Sequence, residues 1–324
     1  AACSTPAGSP CIPTVKNNNL SSCYFGTFVQ PPFGPGGLQP IIPRVNSNYG
    51  PLNENVTGGR SSYNSLQASL VRQAAKGITM QLSYTYSHCL DDGSGSYGLE
   101  EGAVGNLDPY DPRYDYGNCT FDLRHNFVGS VIYQLPFQGN RLVEGWQMSG
   151  IFTGQSGSPF SILDGFDQAG LFNNVADTRP DVIRGCNPYI RTKALGPTGI
   201  VEPQWLNRSC FTLQPVGTLG NGGRDSLVGP RRINLDFALL KNTRITERIS
   251  AQFRAEFFNI ANRTDFVGPN ASLYNGSCGV GAPGCVPALG GGDGGSTLGS
   301  TYGFIGGTVP NSQREIQFAV KLIF

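Results

Sequence analysis

The chain has 324 residues, a formal net charge of +1, 14% charged residues, 45 glycines and 23 prolines. That balance gives no footing for nucleic acid or an acidic partner, and with no apolar run of 18 residues a transmembrane helix is excluded. Abundant glycine, proline and polar amides describe strands joined by long, turn-rich loops, and strands that cross a bilayer need only every second residue apolar.

Residues 1–60 are irregular, with Pro31-Pro32, a Gly-Pro-Gly-Gly run at 34–37 and three cysteines. They read as an extracellular loop region with one candidate strand near Ile41 to Tyr49. Ala1 to Pro13 has neither the basic start nor the apolar core of a signal peptide, so a removed signal or a longer parent chain is expected.

From residue 61 onward the chain reads as transmembrane strands and loops. Leu66, Ala68 and Leu70 alternate with polar residues, Gln73 to Gly77 turns, and Ile78, Met80, Leu82, Tyr84 and Tyr86 alternate with Thr79, Gln81, Ser83 and Thr85. After the Asp-, Gly- and Tyr-rich stretch Cys89 to Asp122 comes a strand with Phe127, Val131, Tyr133 and Leu135 on one side. A short link leads to Trp146, Met148, Gly150 and Phe152. The chain wanders from Gly157 to Arg231, then Ile233, Leu235, Phe237 and Leu239 resume the alternation. A turn expected near Asn242 to Glu247 precedes Ile249, Ala251, Phe253, Ala255 and Phe257. A long Gly-rich loop, Ala261 to Gln313, leads to Ile316, Phe318, Val320, Leu322 and Phe324, an alternation that runs to an aromatic end.

Connections thus run short, long, short, long, short, long. In an outer-membrane β-barrel the short ones are periplasmic and the long ones extracellular. The apolar runs span about nine to eleven residues, the length that crosses a bilayer at a tilt. The expected fold is therefore all-β: an antiparallel transmembrane β-barrel segment of about seven to eight meandering strands. Ile78, Met80, Leu82, Phe127, Val131, Phe152, Phe237, Phe253 and Phe257 would face lipid. Tyr84, Tyr86, Tyr133, Phe137 and Trp146, near strand ends, suit an interfacial girdle. A soluble β-sandwich has the same period, with its apolar face turned inward.

The nine cysteines avoid strand centres and form no C-x-x-C pair, and with two histidines no zinc site is expected. Proximity in sequence pairs Cys89 with Cys119, Cys186 with Cys210 and Cys278 with Cys285, which would put those loops in an oxidising compartment and leave at least one thiol over.

Laid out in this way the chain resembles the C-terminal barrel portion of a TonB-dependent outer-membrane receptor, in particular the Oar-like group with a carboxypeptidase-regulatory-like N-terminal domain. The residues that carry the resemblance are Tyr63-Asn-Ser-Leu-Gln67, Ser83-Tyr-Thr-Tyr-Ser87 with Asp91-Asp92, Phe121-Asp-Leu-Arg-His125 with Tyr133-Gln-Leu-Pro-Phe137, Gly145-Trp-Gln-Met-Ser-Gly150 with Gln155-Ser-Gly-Ser-Pro-Phe160, Phe253-Arg-Ala-Glu-Phe-Phe-Asn259 and Gln317-Phe-Ala-Val-Lys-Leu-Ile-Phe324. The resemblance implies a larger 22-stranded barrel, a plug domain and a TonB-contacting segment lying outside this chain, and uptake of an iron chelate, saccharide or peptide. It also gives Phe318, Val320, Leu322 and Phe324 the role of an assembly signal for the barrel-assembly machinery.

No catalytic constellation is present, so no enzyme activity and no cofactor are expected. His88 and His125 border Asp91, Asp92, Asp108, Asp111, Asp115 and Asp122, donors of the type that hold a divalent cation, but a solvated loop accounts for them and no metal is assigned. Tyr97, Tyr110, Tyr114 and Tyr116 are the candidate contacts for an extracellular ligand. The competing functional readings are a small autonomous porin or adhesin barrel, and a secreted soluble β-sandwich that binds carbohydrate.

Overall fold

The computed structural model describes residues 58–94, 107–108, 111–166, 169, 178–196, 199–215, 218–278, 286–287, 295–298, 300–310 and 312–324. The alternation becomes seven long strands: β1 Ser61–Ala75, β2 Ile78–Asp91, β3 His125–Gln134, β4 Trp146–Gln155, β5 Arg232–Arg244, β6 Ser250–Phe258 and β7 Glu315–Ile323. Each pairs with the next in chain order, always antiparallel, so the wall is an up-and-down meander. At about 3.3 Å per residue even the nine-residue strands reach about 30 Å, enough to cross the apolar band at a tilt.

Register turns seven separate patterns into one surface. Leu70 lies opposite Leu82, Leu82 opposite Gly129, Gly129 opposite Phe152, and Phe152 opposite Leu235. Further along, Phe237 lies opposite Phe257, and Phe257 opposite Ile316. A slip of one residue at any pairing would send the next apolar series to the other face. Rings meet across strands: Phe127 with Phe152 at 5.6 Å, Phe237 with Phe257 at 6.1 Å and Phe253 with Phe318 at 6.2 Å between centroids. Gly129 makes room for them, since a Cβ there would stand 2.8 Å from Leu82 Cδ2 and 3.2 Å from Phe127 Cε1.

No second layer covers this face among the described residues. Leu66, Phe318 and Val320 are 66%, 68% and 70% exposed. In a sandwich these side chains would fill the interior. The buried apolar cluster lies elsewhere, in the loops: Ile162, Leu206, Cys210, Phe211, Leu227, Leu273 and Tyr302. The soluble-sandwich reading is therefore corrected, because its core is not where the sheet's apolar residues are.

Several boundaries also differ from expectation: β2 runs on through Cys89 to Asp91, where the long connection was expected to have begun already. The turn placed near Asn242 to Glu247 falls later, because β5 continues to Arg244 and Thr246 Oγ1 accepts the Ile249 N–H at 3.0 Å to close the reversal. Asn242 looked like a turn residue, yet its Oδ1 accepts from Gln252 Nε2 at 2.8 Å across the strand pair. The stretch from Gly157 to Arg231, expected to be irregular, contains an antiparallel hairpin of Tyr189–Leu195 with Val201–Leu206 and two-residue ladders at Pro159–Phe160 with Leu227–Val228 and at Asp181–Val182 with Phe211–Thr212. Strands this short leave no period to read. The candidate strand at Ile41 to Tyr49 lies outside the described residues.

Candidate functional site

The strands deliver two faces and the long connections deliver a folded cap at one end. All nine residues expected to meet lipid share the apolar face, as do Phe318, Val320 and Leu322 of the terminal strand. The other face carries a polar ladder: Gln81 opposite Ser130, Ser149 opposite Ala238, Ala238 opposite Glu256, and Glu256 opposite Gln317, whose Nε2 donates to Glu256 Oε2 at 2.5 Å. This alternation is not strict. Val128, Ile132 and Ile151 share the polar face and are 40%, 39% and 49% exposed, with Ile151 diagonal to both neighbours through the Ser130–Ile151 pair.

Above the strand ends, the Asp-rich connection after β2 is fastened from both sides. The Cys89–Cys119 disulfide ties it to β2, and the Cys89 N–H donates to Asp122 Oδ1 at 2.9 Å. The second expected disulfide, Cys186–Cys210, fastens the connection between β4 and β5. Cys285 lies outside the described residues, so the third expected pair does too.

Two arginines join these connections to each other. Arg179, 2% exposed, donates from Nη1 to Asp115 Oδ1 at 2.8 Å, from Nε to Gly222 O at 2.8 Å and from Nη2 to Tyr114 O at 2.9 Å. Its guanidinium sits 4.2 Å from the centre of the Tyr114 ring. Arg224 donates to Asp115 O at 2.7 Å, Ser94 O at 3.0 Å, Asp91 O at 2.6 Å and the Asp91 carboxylate. A Cβ on Gly117 would meet Arg224 O at 2.2 Å, so the two connections approach to backbone contact. Burial drives the Asp225 carboxyl above its ordinary range, against the pull of Arg224.

This network takes up the donors that a cation would need. Asp91, Asp92, Asp115 and Asp122 are buried and hold backbone N–H groups or arginines. Among the described residues the one close grouping of metal-type donors is Cys89, Asp91 and Cys119, and its two sulfurs are bonded to each other. His88 meets Asn118 and His125 meets the Tyr84 hydroxyl. Of the tyrosines expected to meet ligand, Tyr97 and Tyr110 lie outside the described residues. Tyr114 is committed to the loop framework: its hydroxyl donates to Gly220 O at 2.9 Å, and burial pushes it up to about 12. Tyr116 is 41% exposed and keeps an open surface.

A meander of long strands with an uncovered apolar face is the architecture of a transmembrane barrel wall, and the chain matches the outer membrane beta barrel domain family over residues 14–317. The chain belongs to that family. It is an all-β protein of the bacterial outer membrane. Comparison with curated proteins and with solved structures found no match. In this outer-membrane barrel domain the residues that sequence reasoning missed are Arg179, Arg224 and Asp225. One signal for them was available: the Asp-rich connection is followed by one carrying Arg179, Arg184, Arg191, Arg208, Arg224 and Arg231, a charge complement that favours docking of the two.

Proposed function

We propose that this outer-membrane barrel is the C-terminal wall of a TonB-dependent uptake receptor, which binds a scarce iron chelate, saccharide or peptide at its extracellular cap and admits it past a plug domain. The observation that supports this reading is the group of neighbouring aliphatic residues Val128, Ile132 and Ile151 on the face that carries the polar ladder, where Val71, Phe258 and Ile323 are exposed as well. A water-filled pore gains nothing from exposed aliphatic residues at mid-wall, whereas a folded plug packed against the wall would cover them. The fastened cap supports the same reading, because a loop held by disulfides and buried ion pairs loses little freedom when a ligand arrives. In this account the apolar face meets lipid and the polar face lines the lumen.

The runner-up is a diffusion porin, which the Gln, Ser and Asn ladder would also suit. The full-length gene product, reconstituted in planar bilayers, separates them. A plugged receptor stays closed to ions until the plug is loosened with denaturant, and steady conductance from the native protein would favour the porin.

A further inference from the structure

Where the cap meets the strand ends there is a recess of about 770 Å³, within the range of small-ligand sites. Its strand-borne walls are His125, Phe152, Gly154 and Ile233 on the apolar face, where His125 pairs with Tyr86, Phe152 with Gly129 and Leu235, and Ile233 with Gly154, together with Gln155, the last residue of β4, on the other face. They come from the first residue of β3, the end of β4 and the start of β5. With four of these five strand residues on the apolar face, the recess lies on the outer side of the wall, at the rim beneath the long loops.

The loops bring three arginines to it: Arg191 from the hairpin, Arg231 just ahead of β5, and Arg263 after β6. No carboxylate lines the recess among the described residues, and none of the three guanidiniums has an ion-pair partner among them. Asp265, which lies between the lining residues Thr264 and Phe266, accepts the Ile233 N–H on its carboxylate at 3.2 Å. The hairpin register shifts between Tyr189 and Thr192, and Arg191 takes a φ of 49°, a bulge that aims its side chain over Tyr189 and Trp205 at 4.8 and 4.9 Å. Trp205 is fixed in turn by its Nε1 donating to Val228 O at 3.2 Å. Stacked on its faces, a guanidinium keeps its in-plane N–H groups for a planar or tetrahedral anion.

The three arginines thus line the same recess as Phe152 and Ile233, and these two belong to the continuous apolar face of the wall. We propose that this recess holds the phosphate-bearing headgroup of an outer-leaflet lipid, with an acyl chain lying down the wall over Phe152 and Leu235. The charge selects the anion, and continuity with the apolar face selects an amphiphile over a free ion. The inference rests on the apolar face meeting lipid and not on the uptake role.

The test uses the full-length protein reconstituted in phosphatidylcholine bilayers doped with phosphatidic acid, with retained lipid counted by native mass spectrometry after release. The protein is expected to keep phosphatidic acid in preference to phosphatidylcholine. In the triple variant Arg191→Gln, Arg231→Gln, Arg263→Gln, with heat-modifiable migration confirming a folded barrel, the preference should fall at least tenfold. Should the triple variant not fold, Arg231→Gln alone is expected to lower it about fivefold, the worth of one arginine at a charged lipid surface. An unchanged preference in the folded variant would overturn the proposal. So would displacement of phosphatidic acid by millimolar inorganic phosphate, which would make the recess a free-anion site.

Discussion

Arg179 makes three hydrogen bonds to three separate acceptors and stacks on an aromatic ring while 2% exposed. Its partner Asp115 is equally enclosed, so removing the guanidinium leaves a carboxylate buried with no counter-charge, a loss of about 3–5 kcal/mol. Arg179→Met is therefore expected to open the cap locally. Hydrogen exchange should rise about a hundredfold or more at residues 111–118 and 218–224, with β3 to β6 unchanged. Arg179→Lys should not restore protection, because one ammonium cannot span acceptors on Asp115, Tyr114 and Gly222. Equal exchange in wild type and Arg179→Met would show that the cap does not depend on this contact. The arginine content of its connection was visible, but nothing singled out Arg179 within it, since Thr178-Arg-Pro180 sits in a stretch with no periodicity, and its partners lie 43 to 65 residues away. The aspartates were visible as a cluster, but sequence alone could not say whether arginines or a cation would take them.

At the scale of elements, strands and loops were legible to different degrees for a physical reason. A strand with one apolar and one polar face repeats every two residues, so Ile78 to Tyr86 or Ala251 to Phe257 declares itself. The loops fold by another means: short ladders, backbone contact at glycines such as Gly117, and two disulfides, none of which has a period. The pairing of Cys89 with Cys119 and of Cys186 with Cys210 was readable because each joins cysteines that neighbour one another in sequence, at separations of 30 and 24. Closing loops of this size stabilises each connection by about 3–4 kcal/mol. Replacing Cys89 and Cys119 together by serine is expected to leave the barrel inserted and heat-modifiable while making residues 92–118 sensitive to added protease in intact cells. Protease resistance equal to wild type would mean that the arginine network holds the connection unaided.

For the whole molecule, the arrangement inverts that of a soluble β protein. Six successive pairings keep one apolar surface continuous from Leu66 to Leu322, and the packed core lies outside the sheet, in the cap. Such a surface is stable only where hydrocarbon covers it, which is why the fold and its place in the outer membrane are one statement. Two departures from the simple alternation carry the proposals: Val128, Ile132 and Ile151 are exposed on the face with the polar ladder, and Arg191, Arg231 and Arg263 line a recess at the rim.

The facing of the wall can be measured at two adjacent residues in the middle of β5. Phe237 stands on the apolar side and Ala238 on the polar side. With Trp146 and Trp205 replaced by phenylalanine, a tryptophan at either position reports its surroundings in vesicles. Phe237→Trp should be quenched by lipids brominated on their acyl chains and spared by aqueous iodide, and Ala238→Trp should show the opposite. Bromine quenching of the tryptophan at 238 with protection of the one at 237 would contradict the account.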